Sequence, residues 1–167
     1  MPRSEIFLSY SSRPYLGKAF FRSKTAVDLK LYWLFKEDPE SYSFEKLLEE
    51  KKTAWEGVHN PLALKNLRQV KKGDSIFFYQ TGDEKKIVGI MKAASNAYPK
   101  DKSADLDSSK EIALDVVPVQ RLKNSISLAT IKADPRFKDF MLVKFSRLSV
   151  MPVSDKQWEW ILKLSEN

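Results

Sequence analysis

Within the six residues Trp55-Glu56-Gly57-Val58-His59-Asn60 the chain places an indole, a glycine, its only histidine and an amide. These types suit the capture of a planar heterocycle. An indole offers a flat face, a glycine lets backbone come close, and an amide both donates and accepts hydrogen bonds. The same residues also read as a helix start, with Trp55 in the core, Gly57 in an unusual φ and Asn60 as the cap. His59 reads as a polar wall and not as a base, since no carboxylate partner follows from spacing. A second set is Tyr32, Trp33 and Phe35, where strand alternation makes most rings core and leaves Lys36 at a rim. Glu37, Asp38 and Glu40 lack the second acidic cluster that a hard cation or paired acid–base catalysis needs, so they read as a solvated turn. A third set is Phe77-Phe78-Tyr79-Gln80-Thr81. Phe77 and Tyr79 share one strand face and Phe78 the other. The phenylalanines read as core, Tyr79 equally as core or wall, and Gln80 and Thr81 as groups that could read a base edge. Glycine-rich phosphate loops, zinc-protease helices and nucleophile elbows are absent from the sequence.

Composition narrows the setting. A chain of 167 residues with 43% hydrophobic content, ten Phe and four Trp fits one domain with a real core. No apolar run approaches the ~20 residues of a membrane helix, and no secretory signal is visible. The lack of Cys removes thiolate metal sites, and a single His removes histidine-rich ones. These features imply no cofactor, no metal and no membrane partner, and they fit a cytoplasmic monomer. The net charge of +7 is uneven: residues 1–31 hold six Lys/Arg against Glu5 and Asp28, leaving the body only +3. A body at +3 permits contact with a phosphate backbone without demanding it. Residues 1–30 show no period of 2 or 3.6. They read as a basic leader: a flexible tail, a start assigned too far upstream, or a mitochondrial presequence. A mitochondrial or nuclear location therefore stays open.

The elements that must position these residues follow from periodicity and caps. Leu31–Phe35 reads as a strand, and Ser43 as the cap of a helix carrying Phe44, Leu47 and Leu48. Asn60 and Pro61 read as the cap and first position of a helix reaching about Val70, with Ala63, Leu64, Leu67 and Val70 inward. Ser75–Gln80 and Ile87–Ala94 form a hairpin around Thr81-Gly82-Asp83. Residues 99–110 read as a loop, Glu111–Val119 as a strand and Ser127–Lys132 as a short helix. Phe140–Phe145 and Leu148–Met151 read as strands. Ser154 to Gln157 is a capping box opening a last helix with Trp158, Ile161 and Leu162 on its apolar side. Five or six short strands and four short helices favour a mixed, largely antiparallel barrel.

In order and spacing, these segments resemble the EVE-domain family of the PUA-like group, which also holds YTH and ASCH domains. The family's Tyr-Trp-Leu and Lys-Ser-Glu-Pro turn are matched by Tyr32-Trp33-Leu34-Phe35-Lys36-Glu37-Asp38-Pro39. Its Trp-x-Gly-Val-Arg-Asn block is matched by Trp55 to Asn60, and its Phe-Tyr-His-Ser strand end by Phe78-Tyr79-Gln80-Thr81. Gly89, Ala97-Tyr98-Pro99 and Arg147-Leu148-Ser149-Val150-Met151-Pro152-Val153 follow, then a helix with Trp158. The likeness covers about residues 31–165. Glu37, Asp38, His59 and Gln80 depart from the family's residues, which implies a different hydrogen-bonding edge. The resemblance implies a PUA-like α+β domain over residues 31–167, a small, strongly curved mixed barrel with short helices. It implies non-catalytic binding of DNA or RNA carrying a modified base, such as a methylated or hydroxymethylated cytosine. Such a base would be flipped or taken from a single strand. Trp55 is the first choice as stacking wall and Tyr79 the second. Lys36, His59, Asn60, Gln80 and Thr81 would line the edge, and Gly57 would let backbone approach. Lys65, Arg68, Lys71 and Lys72 would hold phosphates. Two other readings remain: a binder of a free nucleoside or other small heterocycle, and an RNA-acting enzyme.

Overall fold

In the first strand, β1 (Tyr32–Glu37), Trp33, Leu34 and Phe35 are all fully buried, so both faces of the strand are covered. The computed structural model describes residues 30–167, and the expected leader lies, apart from Lys30, outside the described residues. A turn at Asp38 leads to α1 (Phe44–Glu50), whose cap is Ser43: its Oγ accepts from the Lys46 N–H. Phe44 and Leu47 are buried beneath it. A three-residue strand, β2 (Thr53–Trp55), precedes Gly57, and Asn60 caps α2 (Pro61–Gln69). Ala63, Leu64, Leu67 and Val70 are buried, as their spacing predicts.

The hairpin forms as β3 (Ser75–Gln80) and β4 (Lys86–Ala93). A two-residue strand, β5 (Tyr98–Pro99), comes next, followed by the long β6 (Ile112–Ser127). Then come α3 (Leu128–Ala133), a 3₁₀ turn at Pro135–Phe137, α4 (Met141–Lys144), β7 (Val150–Val153) and α5 (Asp155–Glu166). Both bonds of the capping box at Ser154 and Gln157 are made.

The sheet order is β2-β6-β4-β3-β1-β7, with β5 beside β6. β1 and β3 are parallel and the other pairs antiparallel. Register breaks at Phe78/Tyr79 and twice along β4–β6 bend the sheet into a curled, mixed layer. Gly89 in β4 is required for close packing: a Cβ there would lie 2.3 Å from the Phe44 ring. Asp74, 1% exposed, joins the starts of β1 and β3. Its carboxylate accepts from the Leu31 N–H at 3.0 Å and from the Trp33 indole at 2.9 Å. On the far side, Trp158 of α5 stacks on Phe77 at 3.8 Å and on Tyr32 at 4.4 Å.

Three expectations are corrected. Phe140–Phe145 is not a strand, because Met141–Lys144 closes a single helical turn that buries Met141 and Leu142. A short apolar run carries no period of its own, and here the turn suits a tight return to β7. The strand expected to end at Val119 continues to Ser127. Pro118 interrupts nothing, since it sits opposite Met91 at a register break. Seven strands and five α-helices are present among the described residues. The additions are chiefly β2 and β5, both too short to show alternation.

Candidate functional site

Because β1 and β3 run parallel and in register, Lys36 and Tyr79 stand opposite each other near the strand ends. The Lys36 Nζ lies 5.6 Å from the centroid of the Tyr79 ring. It donates to the Ser146 carbonyl at 3.0 Å and reaches the Phe145 carbonyl at 3.5 Å. Burial lowers the Lys36 pKa to about 8, and it raises that of the Tyr79 hydroxyl. The Lys36 backbone N–H also donates to Ser149 O at 2.8 Å, so one residue holds the 145–149 segment by main chain and side chain.

That segment walls a cavity of about 290 Å³ lined by Asn60, Leu62 and residues 144–148. The volume sits near the lower end of the ~300–1,000 Å³ typical of small-molecule sites. Asn60 enters it through the geometry of its cap. Its Oδ1 accepts from the Leu62 and Ala63 N–H groups at 2.9 and 3.0 Å, and its amide nitrogen has no partner among the described residues. Lys144 pairs with Asp139 at 3.2 Å, while Arg147 makes no ion pair among the described residues. The lining therefore combines an amide donor, cations and an aromatic ring, a set able to take a flat ligand next to negative charge.

The other expected residues fall elsewhere. Trp55 is 4% exposed and packs at 5.3 Å from Phe35 and 5.4 Å from Phe78. Phe35 and Phe78 pair one residue before Lys36 and Tyr79, so they and Trp55 occupy the opposite face of the sheet. Gln80, 4% exposed, accepts from the Phe44 N–H at 3.0 Å and donates to Glu84, tying α1 to the hairpin. The half-buried Thr81 donates its N–H to Glu37 O at 2.9 Å. Gly57 has φ +77°, which favours glycine, but a Cβ there would meet open space, so the need is conformational and not one of close approach. His59 is exposed and lies outside the cavity lining. Glu37 and Asp38 accept bonds from the N–H groups of Asp38 and Glu40 and form the expected turn.

Among the expected phosphate contacts, Lys65 and Lys72 are exposed and Lys71 is half-buried. Arg68 instead donates to Leu106 O at 3.0 Å and Ser109 O at 2.7 Å, clasping the polar loop after β5. Lys71 and Lys72 lie past the far end of α2, roughly 14 Å along the helix axis from Asn60. The lining residues absent from the sequence-based site are Leu62, Lys144, Phe145, Ser146, Arg147 and Leu148. Two cations bracketing an aromatic, Lys144 to Arg147, were the available signal, masked by reading 140–145 as a strand.

The EVE-domain family profile matches residues 31–164. Thymocyte nuclear protein 1 of Homo sapiens is 31% identical over an alignment spanning 83% of this chain and 76% of the human protein. A solved structure of human THYN1 in complex with 5-methylcytosine-containing DNA superimposes with a TM-score of 0.75. It is 30% identical, covering 83% of this chain and 99% of that one. The NMR structure of Rpa0253 from Rhodopseudomonas palustris also reaches 0.75, at 35% identity, over 81% of this chain and 93% of its own.

Proposed function

The chain belongs to the EVE-domain family and has its PUA-like α+β fold, and from that premise we propose that it reads a modified base in nucleic acid without catalysing a reaction. The observation that carries this reading is the convergence of Lys36, lying over Tyr79, and the uncommitted amide of Asn60 on the single segment 145–148. The complex of human THYN1 with 5-methylcytosine DNA supports a methylated cytosine as ligand. A base within a duplex stack cannot enter such a cavity, so it is flipped out or supplied by a single strand. The Asn60 amide is a donor, matched to the carbonyl and ring-nitrogen acceptors of a pyrimidine edge, and Lys36 braces the cavity wall through the carbonyls of Phe145 and Ser146. Tyr79 supports Lys36 from below, and the buried Trp55 serves the site by holding β2 in the core. The lining holds and orients a ligand, and it sets no general base beside a nucleophile.

The test is a titration of the full chain with oligodeoxynucleotides that differ only in one 5-methylcytosine, as single strands and duplexes, over a range of salt. The modified strand should bind more tightly, and both affinities should fall steeply with salt. Equal affinity for modified and unmodified strands rejects the modified-base reading. Binding that ignores salt assigns the cavity to a free heterocycle.

A further inference from the structure

Phe145 is 46% exposed, an unusual state for a phenylalanine in a chain that fully buries Phe35, Phe44, Phe77, Phe78, Phe137 and Phe140. An isolated exposed ring is common on protein surfaces and calls for no explanation alone. Three further observations set this one apart. The ring lines the same cavity as Asn60. It is bracketed by the exposed Lys144 and Arg147. Its backbone is fixed on every side: the Phe145 N–H donates to Met141 O at 2.8 Å, and its carbonyl accepts from the Leu148 N–H at 3.3 Å and faces the Lys36 Nζ. Met141, Leu142 and Leu148 are buried at 4%, 2% and 3% exposure and root the segment in the core. The ring is therefore presented to solvent by a rigid support, which lowers the ordering cost of binding.

We propose that Phe145 is the stacking group of the site: from the open side of the cavity wall its half-exposed ring packs on the base adjacent to the one held against Asn60, while Arg147 and Lys144 contact the flanking phosphates. This rests on the nucleic-acid reading above and assigns it an element. A base drawn out of a stack leaves its neighbour with an uncovered face, and apolar side chains commonly occupy such gaps. Base–aromatic stacking tolerates any sequence, because every base has a π-face. Phe145 consequently contributes affinity, and the modification is read by the cavity.

The experiment compares the parent chain with Phe145→Ala and Phe145→Trp on single strands with and without 5-methylcytosine. A 2-aminopurine placed beside the test cytosine reports stacking by fluorescence. Phe145→Ala should weaken both strands alike, on the order of 10- to 100-fold for one base–aromatic contact. The ratio of modified to unmodified affinity should hold, the thermal melt should be unchanged, and Phe145→Trp should restore binding. The 2-aminopurine signal should respond to the parent and not to Phe145→Ala. A Phe145→Ala protein that binds both strands as the parent does overturns the proposal. So does a change confined to self-association in sedimentation, which would place a second copy of the chain on the ring. If the parent binds both strands equally but Phe145→Ala binds neither well, the modified-base reading fails and the stacking role stands. A parent that binds no oligonucleotide overturns both.

Discussion

At the scale of single residues, Trp55 and Lys36 exchange the importance that their types suggest. An indole next to glycine and asparagine is the natural choice for a stacking wall, yet its ring is enclosed by Phe35 and Phe78. Trp55→Ala should therefore cost ~3–5 kcal/mol of stability, as other large aromatic truncations in cores do. Chemical denaturation measures this directly. A melt close to the parent's, together with lost binding, would return the ring to the pocket. In the proposed site Lys36 is the more consequential side chain, and its pKa, lowered by burial to about 8, makes it testable by pH. Its burial disfavours the charged form in the folded state relative to the unfolded one. Between about 8 and the ordinary lysine range, the unfolded chain thus holds more protons than the folded one, and this group makes stability rise with pH in that window. Binding should move the other way. As pH rises through about 8 the ammonium is lost, the carbonyls of residues 145 and 146 keep only a weaker, uncharged donor, and affinity for the modified oligonucleotide should fall while the fold holds. Lys36→Arg should abolish the inflection, because a guanidinium stays protonated throughout. An identical inflection in Lys36→Arg would assign the titration to another group.

At the scale of elements, the residues with a local reason to be where they are were legible. Ser43, Asn60 and Ser154 cap the helices that follow them, and the inward face of α2 follows its period. The hairpin was equally clear from its two short apolar strands and the Gly82 turn between them. What escaped were elements whose existence depends on partners. The three residues of β2 are a strand only because Thr53, Ala54 and Trp55 pair with β6. α4 is a single turn between two segments of the core. The candidate site was half legible for the same reason: Lys36, Asn60 and Tyr79 stand out in the sequence, whereas residues 144–148 meet Asn60 and Lys36 only through tertiary contacts. Asn60 joins both scales, since its side-chain oxygen caps α2 and the same residue lines the cavity. Asn60→Asp separates these duties. The carboxylate keeps the cap and suits the helix N-terminus, so stability should stay within a few tenths of a kcal/mol. The lost donor and the added negative charge should weaken oligonucleotide binding by at least ~1 kcal/mol. Unchanged affinity would remove Asn60 from the site and leave it a cap only.

At the scale of the whole molecule, charge is distributed in two registers. Lys144 and Arg147 line the cavity, and Lys36 holds its wall through the Ser146 carbonyl. Of the other expected phosphate contacts, Lys65 is exposed on α2, Arg68 clasps a loop, and Lys71 and Lys72 lie beyond the far end of α2. The residues before Asp28 add Arg3, Arg13, Lys18, Arg22 and Lys24 against Glu5 alone, and they lie outside the family match. Selection of a modified base and general attraction to phosphate should therefore be separable by cutting the chain. A protein beginning at Asp28 should keep its cooperative melt to within ~1 kcal/mol and keep its ratio of modified to unmodified affinity. It should bind every strand more weakly at low salt. The slope of log affinity against log salt should become shallower by about 0.7 for each phosphate contact removed from a single strand. An unchanged slope would mean that the cations of residues 30–167 make all the phosphate contacts. A loss of more than ~2 kcal/mol in the melt would mean that the segment packs into the core, since residues without fixed contacts cost little to remove. A change in the modified-to-unmodified ratio would be the more damaging result, because it would place part of the base-reading site outside the cavity formed by Asn60 and residues 144–148.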